Sequence, residues 1–321
     1  MPAEPFPLLI LSGPTACGKT EVGVILAERL NTEIISADSV QIFKHFNIGS
    51  AKPSEELLQR APHHLIGTVD PEEEFNVARF QQGAMAIAAD LWRRGKVPLM
   101  VGGTGLYIKA VAEGLSPAAP VSYNALAAME EMERKGGQAC LYEELKKADP
   151  RSAARIHPND TFRTRRWLGV FLDTGMPVSE YFSSNPNKPG CDPLVLVLDP
   201  PREALYQRIT ARAGVMMGKG WLEEVNRLKK MGYNIKTKAM GAIGYRQIYA
   251  LSEGEASAEE AVADIIKRTK AFARRQLTWF RGMEGAVFVP LDGNETAEAA
   301  AEKILRLDVI KDFFARYGIM P

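Results

Sequence analysis

Residues 13–20 read Gly-Pro-Thr-Ala-Cys-Gly-Lys-Thr, a spacing of two glycines, a lysine and a hydroxyl that suits phosphate chemistry. Gly13 and Gly18 let the backbone turn its amides toward an anion, Lys19 brings a mobile positive charge, and the Thr20 hydroxyl is a ligand for magnesium. The apolar run LLILS precedes the loop and a helical pattern follows it, which is the context such a loop requires. A chance glycine turn is the plainer reading, and those flanking elements speak against it.

A kinase or nucleotide triphosphatase usually carries a second strand ending in an aspartate that helps to hold the metal. The best candidate here, VPLMVGGTG, ends in Gly102-Gly103-Thr104 instead. An acid does follow another run: EIISADSV places Asp38 just beyond IIS, at the carboxyl edge of a sheet, where open α/β folds bind ligands. Asp38 could hold a metal or take a proton from a nucleophile, and an Asp-Ser turn is the bland alternative. Arg212 lies on a helical pattern after the late run PLVLVLD, as do the lid arginines of small P-loop kinases. A surface arginine paired with a carboxylate is its alternative.

These residues need a frame. LLILS, EIISA, VPLMVGG, PLVLVLD and AVFVP are continuous apolar runs alternating with helical patterns, so they predict a parallel sheet covered on both faces. The fold class expected is α/β, a P-loop-type parallel sheet flanked by helices, with a helical insertion domain. Residues 1–115 form the first part of the core and residues 116–190 the insertion, charged and without a buried strand. Residues 191–321 complete the core with C-terminal helices. Pro-, Gly- and Ser-rich stretches, SPAAPVS and SSNPNKPGCDP, bracket the insertion.

The chain has 321 residues and a formal net charge of +1, so any surface for a polyanion must be local. Two clusters qualify. IKRTKAFARRQLTWFRGM holds six Lys or Arg and no acid, with Phe272, Leu277, Trp279 and Phe280 interleaved. HPNDTFRTRRWLGVF sets Arg163, Arg165 and Arg166 beside Phe162 and Trp167, a mixture suited to a single-stranded RNA loop. A solvated helix face is the alternative for the first, and a core role for Trp167 in the second. Cys17, Cys140 and Cys191 form no C-x-x-C pair, and the four histidines have no metal-ligand spacing, so neither a disulfide framework nor a zinc module is expected. The start MPAEPFP lacks the features of a signal peptide, and no run approaches a membrane span; a soluble cytoplasmic protein is the expectation.

GPTACGKT, SADSVQIFKHFNIGSAKP, HHLI, VGGTGLY, DPRSAARIHPND, GAIGYRQ and RTKAFARRQLTWFR together resemble the bacterial tRNA dimethylallyltransferase family, from about Leu8 to Arg281. The resemblance implies transfer of a dimethylallyl group from its diphosphate to the exocyclic amine, N6, of the adenosine 3′-adjacent to the anticodon, releasing pyrophosphate. It also accounts for the missing strand-end aspartate, because no phosphoryl group moves. It implies that Gly13, Pro14, Thr15, Ala16, Cys17, Gly18, Lys19, Thr20 and Arg212 hold the diphosphate, with Thr104 assisting, and that Thr20 ligates Mg²⁺. Asp38 would be the general base. Contacts to the tRNA anticodon stem-loop would come from Asp38, Ser39, Val40, Gln41, Thr104 and Leu126. The segment Phe162, Arg163, Thr164, Arg165 and Arg166 would add more, as would Gly244, Tyr245, Arg246, Lys267, Lys270, Arg274 and Arg275. A monomer without a membrane partner is expected. Departures from the family pattern stand at Leu126, Trp167, Gly169, Ala213 and Gly214. The rivals are an adenylate (AMP/ATP) isopentenyltransferase, a small-molecule P-loop kinase that binds ATP, and a non-enzymatic RNA-binding module.

Overall fold

The computed structural model describes residues 5–115, 121–184 and 189–319, so parts of both bracketing linkers lie outside the described residues. Two compact units emerge: Met1–Ala112 with Pro189–Pro321, and Glu113–Lys188.

The first unit begins with β1 (Phe6–Ser12), α1 (Lys19–Arg29), β2 (Ile34–Ala37), α2 (Glu55–Arg60) and β3 (His63–His64). It continues with α3 (Val77–Arg93), β4 (Leu99–Gly102) and α4 (Gly105–Ala112). The second unit holds α5 (Tyr123–Ala148), α6 (Pro150–Ala153), α7 (Thr161–Thr174) and α8 (Val178–Ser184). The chain then returns to the first unit through β5 (Cys191–Asp199), α9 (Arg202–Gly218), α10 (Trp221–Lys230) and α11 (Tyr245–Ser252). It closes with α12 (Ala258–Arg281), β6 (Val287–Pro290), α13 (Ala297–Arg306) and α14 (Asp308–Arg316).

The six strands form one sheet in the order β3-β2-β4-β1-β5-β6, with every pairing parallel. All five apolar runs are strands. Along β1, Leu8 and Ile10 face one core and Leu9 and Leu11 the other, the two-residue alternation of a strand buried on both sides. The first core packs α3, α4, α10, α11 and α12 on the sheet through residues such as Phe80, Ile108, Val225, Ile248 and Phe280. The second packs α1, α9, α13 and α14 through Val24, Leu205, Ile304 and Phe313. Complete burial of each such side chain stabilises by roughly 1.5–3 kcal/mol.

β3 is two residues long and was not foreseen; a pair of histidines carries no apolar run to betray it. It is pinned by Glu33, whose carboxylate lies 2.7 Å from His64 Nε2, 2.7 Å from Arg94 Nη1 and 2.7 Å from Lys96 Nζ. In the insertion, α5 breaks at Gly137, where φ is 66°, and Met129, Leu141, Leu145, Ala153 and Leu168 form a core of their own. Trp167 packs against that core, the alternative raised for it. Gly169 is buried, and a Cβ there would meet Val121 at 2.8 Å, so the small residue is what the packing of α7 demands.

Candidate active site

The carboxyl ends of β1, β2 and β4 bring three loops together. The loop after β1 leads into α1 through Gly18, whose φ of 91° is a left-handed conformation that a side chain would strain. A helix N-terminus leaves its first amides without intrahelical acceptors, and its dipole favours an anion there. Lys19 Nζ rests on Pro14 O at 3.3 Å, the loop's own carbonyl. Pro14 has no amide hydrogen, Thr15 N donates to Gln276 Oε1 at 2.8 Å and Cys17 N to Pro14 O at 3.3 Å, so the loop does not turn all of its amides toward an anion. Cys17 is buried, and burial pushes its thiol up, so at neutral pH it adds no charge to the loop.

Arg212, on α9, reaches across to donate from Nη2 to Thr15 Oγ1 at 2.9 Å. Burial pulls its guanidinium down from the ordinary value while Asp38 opposes that shift, and an arginine remains charged throughout. Among the described residues it forms no ion pair, so its charge is directed at the loop rather than spent on a carboxylate.

Asp38 follows β2. Its Oδ1 accepts from Val40 N at 2.9 Å and Gln41 N at 3.1 Å, the Asx turn allowed by the bland reading. The same turn fixes the acid in place. Thr104, just after β4, accepts from Ser39 N through Oγ1 at 3.0 Å and donates its own amide to Ala37 O at 3.1 Å, tying the two loops together. Burial, and then the Asp38 charge, push the neighbouring Tyr107 phenol up to about 12. Gln41 Nε2 donates to Ser50 O at 3.1 Å and Ala51 O at 3.0 Å. One cavity is lined by Thr15, Lys19, Thr20, Asp38, Gln41 and Arg212 together. A second, of about 950 Å³, opens beside it along the loop and α9, past Ala16, Cys17, Gly18, Arg208 and Val215.

No group of three or more His, Cys, Asp or Glu side chains able to hold a metal occurs among the described residues. The residues present fit Mg²⁺ only in the manner of phosphate-binding sites, in which the Thr20 hydroxyl would be the protein's one ligand and substrate oxygens and water would supply the rest.

The remaining expected positions divide. Phe162 is 81% exposed, Leu126 is exposed, and Arg163 is exposed and paired with Asp160 at 2.7 Å. Arg165 is half-buried in an ion pair with Glu133, and Arg166 is half-buried. Arg246, Lys267, Arg274 and Arg275 are exposed, whereas Lys270 folds over the Tyr206 ring at 5.2 Å. Three expectations need correction. Thr164 is fully buried inside the insertion. Tyr245 is 0% exposed and donates its hydroxyl to Glu224 at 2.6 Å, and Gly244 is packed on the Trp221 ring, so neither presents a surface to RNA. The cause is Glu224, a buried carboxylate that also accepts from Asn47 N, Ile48 N and Gly49 N at 3.0, 2.8 and 3.2 Å. It organises the FNIG loop from within. In the sequence WLEEV it looks like one more acid on a solvated helix face, and nothing nearby would have singled it out.

A phosphate loop answered by a half-buried arginine, and an acid at the end of β2, one strand beyond β4, define a P-loop protein of the α/β class. The family model described as IPP transferase matches residues 41–283, and a second, described as isopentenyl transferase, matches residues 7–66. The chain belongs to the IPP transferase family. It is 43% identical over 279 residues to a tRNA dimethylallyltransferase of Geobacter sulfurreducens, covering 85% of this chain and 88% of that one. It is similar in structure to the full-length tRNA isopentenylpyrophosphate transferase of Bacillus halodurans, with a TM-score of 0.71, 32% identity, and coverage of 97% and 99%. A eukaryotic dimethylallyltransferase solved acting on tRNA superposes with a TM-score of 0.84 at 26% identity, covering 97% of this chain and 80% of that one.

Proposed function

We propose that this chain is a tRNA dimethylallyltransferase, which moves a dimethylallyl group from dimethylallyl diphosphate to N6 of the adenosine 3′-adjacent to the anticodon. The observation that carries the reading is the single cavity in which the phosphate loop, Arg212 and Asp38 meet.

The first amides of α1, Lys19 and Arg212 hold the diphosphate, with Lys19 leaving Pro14 O to reach it. As the carbon–oxygen bond breaks, negative charge grows on the departing pyrophosphate, and these fixed donors stabilise it where it develops. Mg²⁺ shared with the Thr20 hydroxyl would supply further neutralisation of that charge. The adenine amine attacks the allylic carbon, and its proton passes to Asp38. Because the amine lone pair is delocalised into the ring, a placed carboxylate contributes on the order of 10²- to 10⁴-fold. The base must leave the anticodon-loop stack to reach this site. Ser39, Val40 and Gln41 border the place it would occupy, and the exposed cations of α12 and α7 suit the phosphates of the stem-loop. A monomer in the cytoplasm is the setting this reading supposes. Among the described residues no helix is long and apolar enough to cross a membrane.

The test is mass spectrometry of nucleosides from unmodified tRNA incubated with the protein, magnesium and dimethylallyl diphosphate. Isopentenyladenosine with wild type and none with Asp38→Ala supports the reading. Product on AMP but not tRNA replaces it with the nucleotide-prenylating rival, and product on neither overturns it.

A further inference from the structure

We infer that Gln276 is a positioning residue that sets the separation between the phosphate loop and the acceptor-side loop, a role that rests on the transfer reading above. It sits on α12 directly after Arg274 and Arg275, which are exposed, while its own side chain is buried. A neutral amide turned inward from a basic helix face requires partners, and it has two. Oε1 accepts from Thr15 N at 2.8 Å, and Nε2 donates to Gly103 O at 2.7 Å.

Those partners belong to different loops. Thr15 follows β1 and lies in the diphosphate cradle, where its hydroxyl also receives Arg212. Gly103 follows β4 and precedes Thr104, whose hydroxyl holds Ser39 N next to Asp38. One side chain therefore joins the donor side of the cavity to the base side. A Cβ on Gly103 would lie 2.7 Å from Nε2, so the glycine is what admits the amide. The side-chain amide offers a donor and an acceptor on one carbon; an ionised carboxylate could not donate to Gly103 O, and an aliphatic chain could do neither. The reaction joins a carbon held by one loop to a nitrogen beside the other, and a misplacement of about 1 Å can cost roughly 10² in rate.

The test uses the full chain as wild type, Gln276→Met and Gln276→Glu, all verified as folded at the assay temperature by circular dichroism. Affinity for inorganic pyrophosphate with magnesium is measured by calorimetry, and kcat and KM are measured on tRNA and dimethylallyl diphosphate. The methionine, of similar length and no polarity, should lower kcat by about 10- to 100-fold with KM for tRNA within about threefold, and weaken pyrophosphate by about fivefold. The glutamate keeps an acceptor for Thr15 N but sets a negative charge beside the anion site, so it should weaken pyrophosphate more than the methionine does. A methionine variant with wild-type kcat and pyrophosphate affinity overturns the inference. So does a loss of kcat that only tracks a loss of folded protein. A wild type that binds pyrophosphate but prenylates nothing overturns the transfer reading instead, and the pyrophosphate comparison then still decides whether Gln276 shapes the loop.

Discussion

Asp38 has two duties, and its two oxygens divide them. Oδ1 accepts from Val40 N and Gln41 N, which builds the turn, and under the proposed reaction Oδ2 would take the proton of the adenine amine. The division separates two substitutions that would otherwise look alike. Asp38→Asn can keep the turn through its carbonyl oxygen while losing the base, so kcat should fall by about 10²- to 10⁴-fold with KM for tRNA nearly unchanged. Asp38→Ala loses the turn as well, and its KM for tRNA should rise in addition. Steady-state kinetics on both variants checks this, and an equal KM in the two would detach the turn from acceptor binding. The acid was legible in the sequence because it follows an apolar run that must end at the sheet edge. Gln276 was not, because it is surrounded by arginines and a polar residue in such company reads as surface. Glu224 and Tyr245 failed in the same way: Glu224 holds a loop far away in sequence and Tyr245 holds Glu224 from another helix, and no local pattern records contacts of that kind.

At the scale of elements, the strands could be read from apolar runs, whereas the short edge β3 depends on charge. Glu33 gathers Arg94 and Lys96 beside His64, and the side-chain hydrogen bond from Arg94, helped by Lys96 and His64, holds its carboxyl well below the usual carboxylate range. A carboxyl whose folded-state value is depressed contributes stability that is complete above its ordinary value of 4.5 and is lost as pH falls through the folded-state value. Glu33→Gln should therefore lower Tm by about 2–6 °C at neutral pH, with a difference from wild type that shrinks as pH falls below the ordinary value of 4.5 toward the folded-state one. Thermal melts in a pH series measure it, and a difference that stays constant with pH would show that Glu33 acts through packing and not through charge. The helices of the insertion were legible as a class because their apolar spacing is helical, but the break at Gly137 was not, since an isolated glycine inside a helical pattern is often tolerated.

At the scale of the whole molecule, a net charge of +1 leaves no long-range field to draw in RNA, so the salt dependence of tRNA binding must come from local cations. Replacing Arg163 and Arg166 by glutamine should reduce the slope of log affinity against log salt by about 1, since Arg163 is already partly neutralised by Asp160. Filter binding across a salt series reads the slope directly, and an unchanged slope removes α7 from the RNA surface. The sheet order has a further consequence, for synthesis. β1 lies between β4 and β5, and Leu9 pairs with Leu194 across the whole intervening chain. On a ribosome adding about 5–20 residues per second, that partner emerges roughly 10–40 s after β1. For that interval the strand leading into the phosphate loop has an apolar flank with an unfilled row of backbone donors and acceptors, the kind of edge on which nascent chains aggregate. A polypeptide truncated before Cys191 would keep that edge permanently, with the phosphate loop already translated but one flank of its leading strand unpaired.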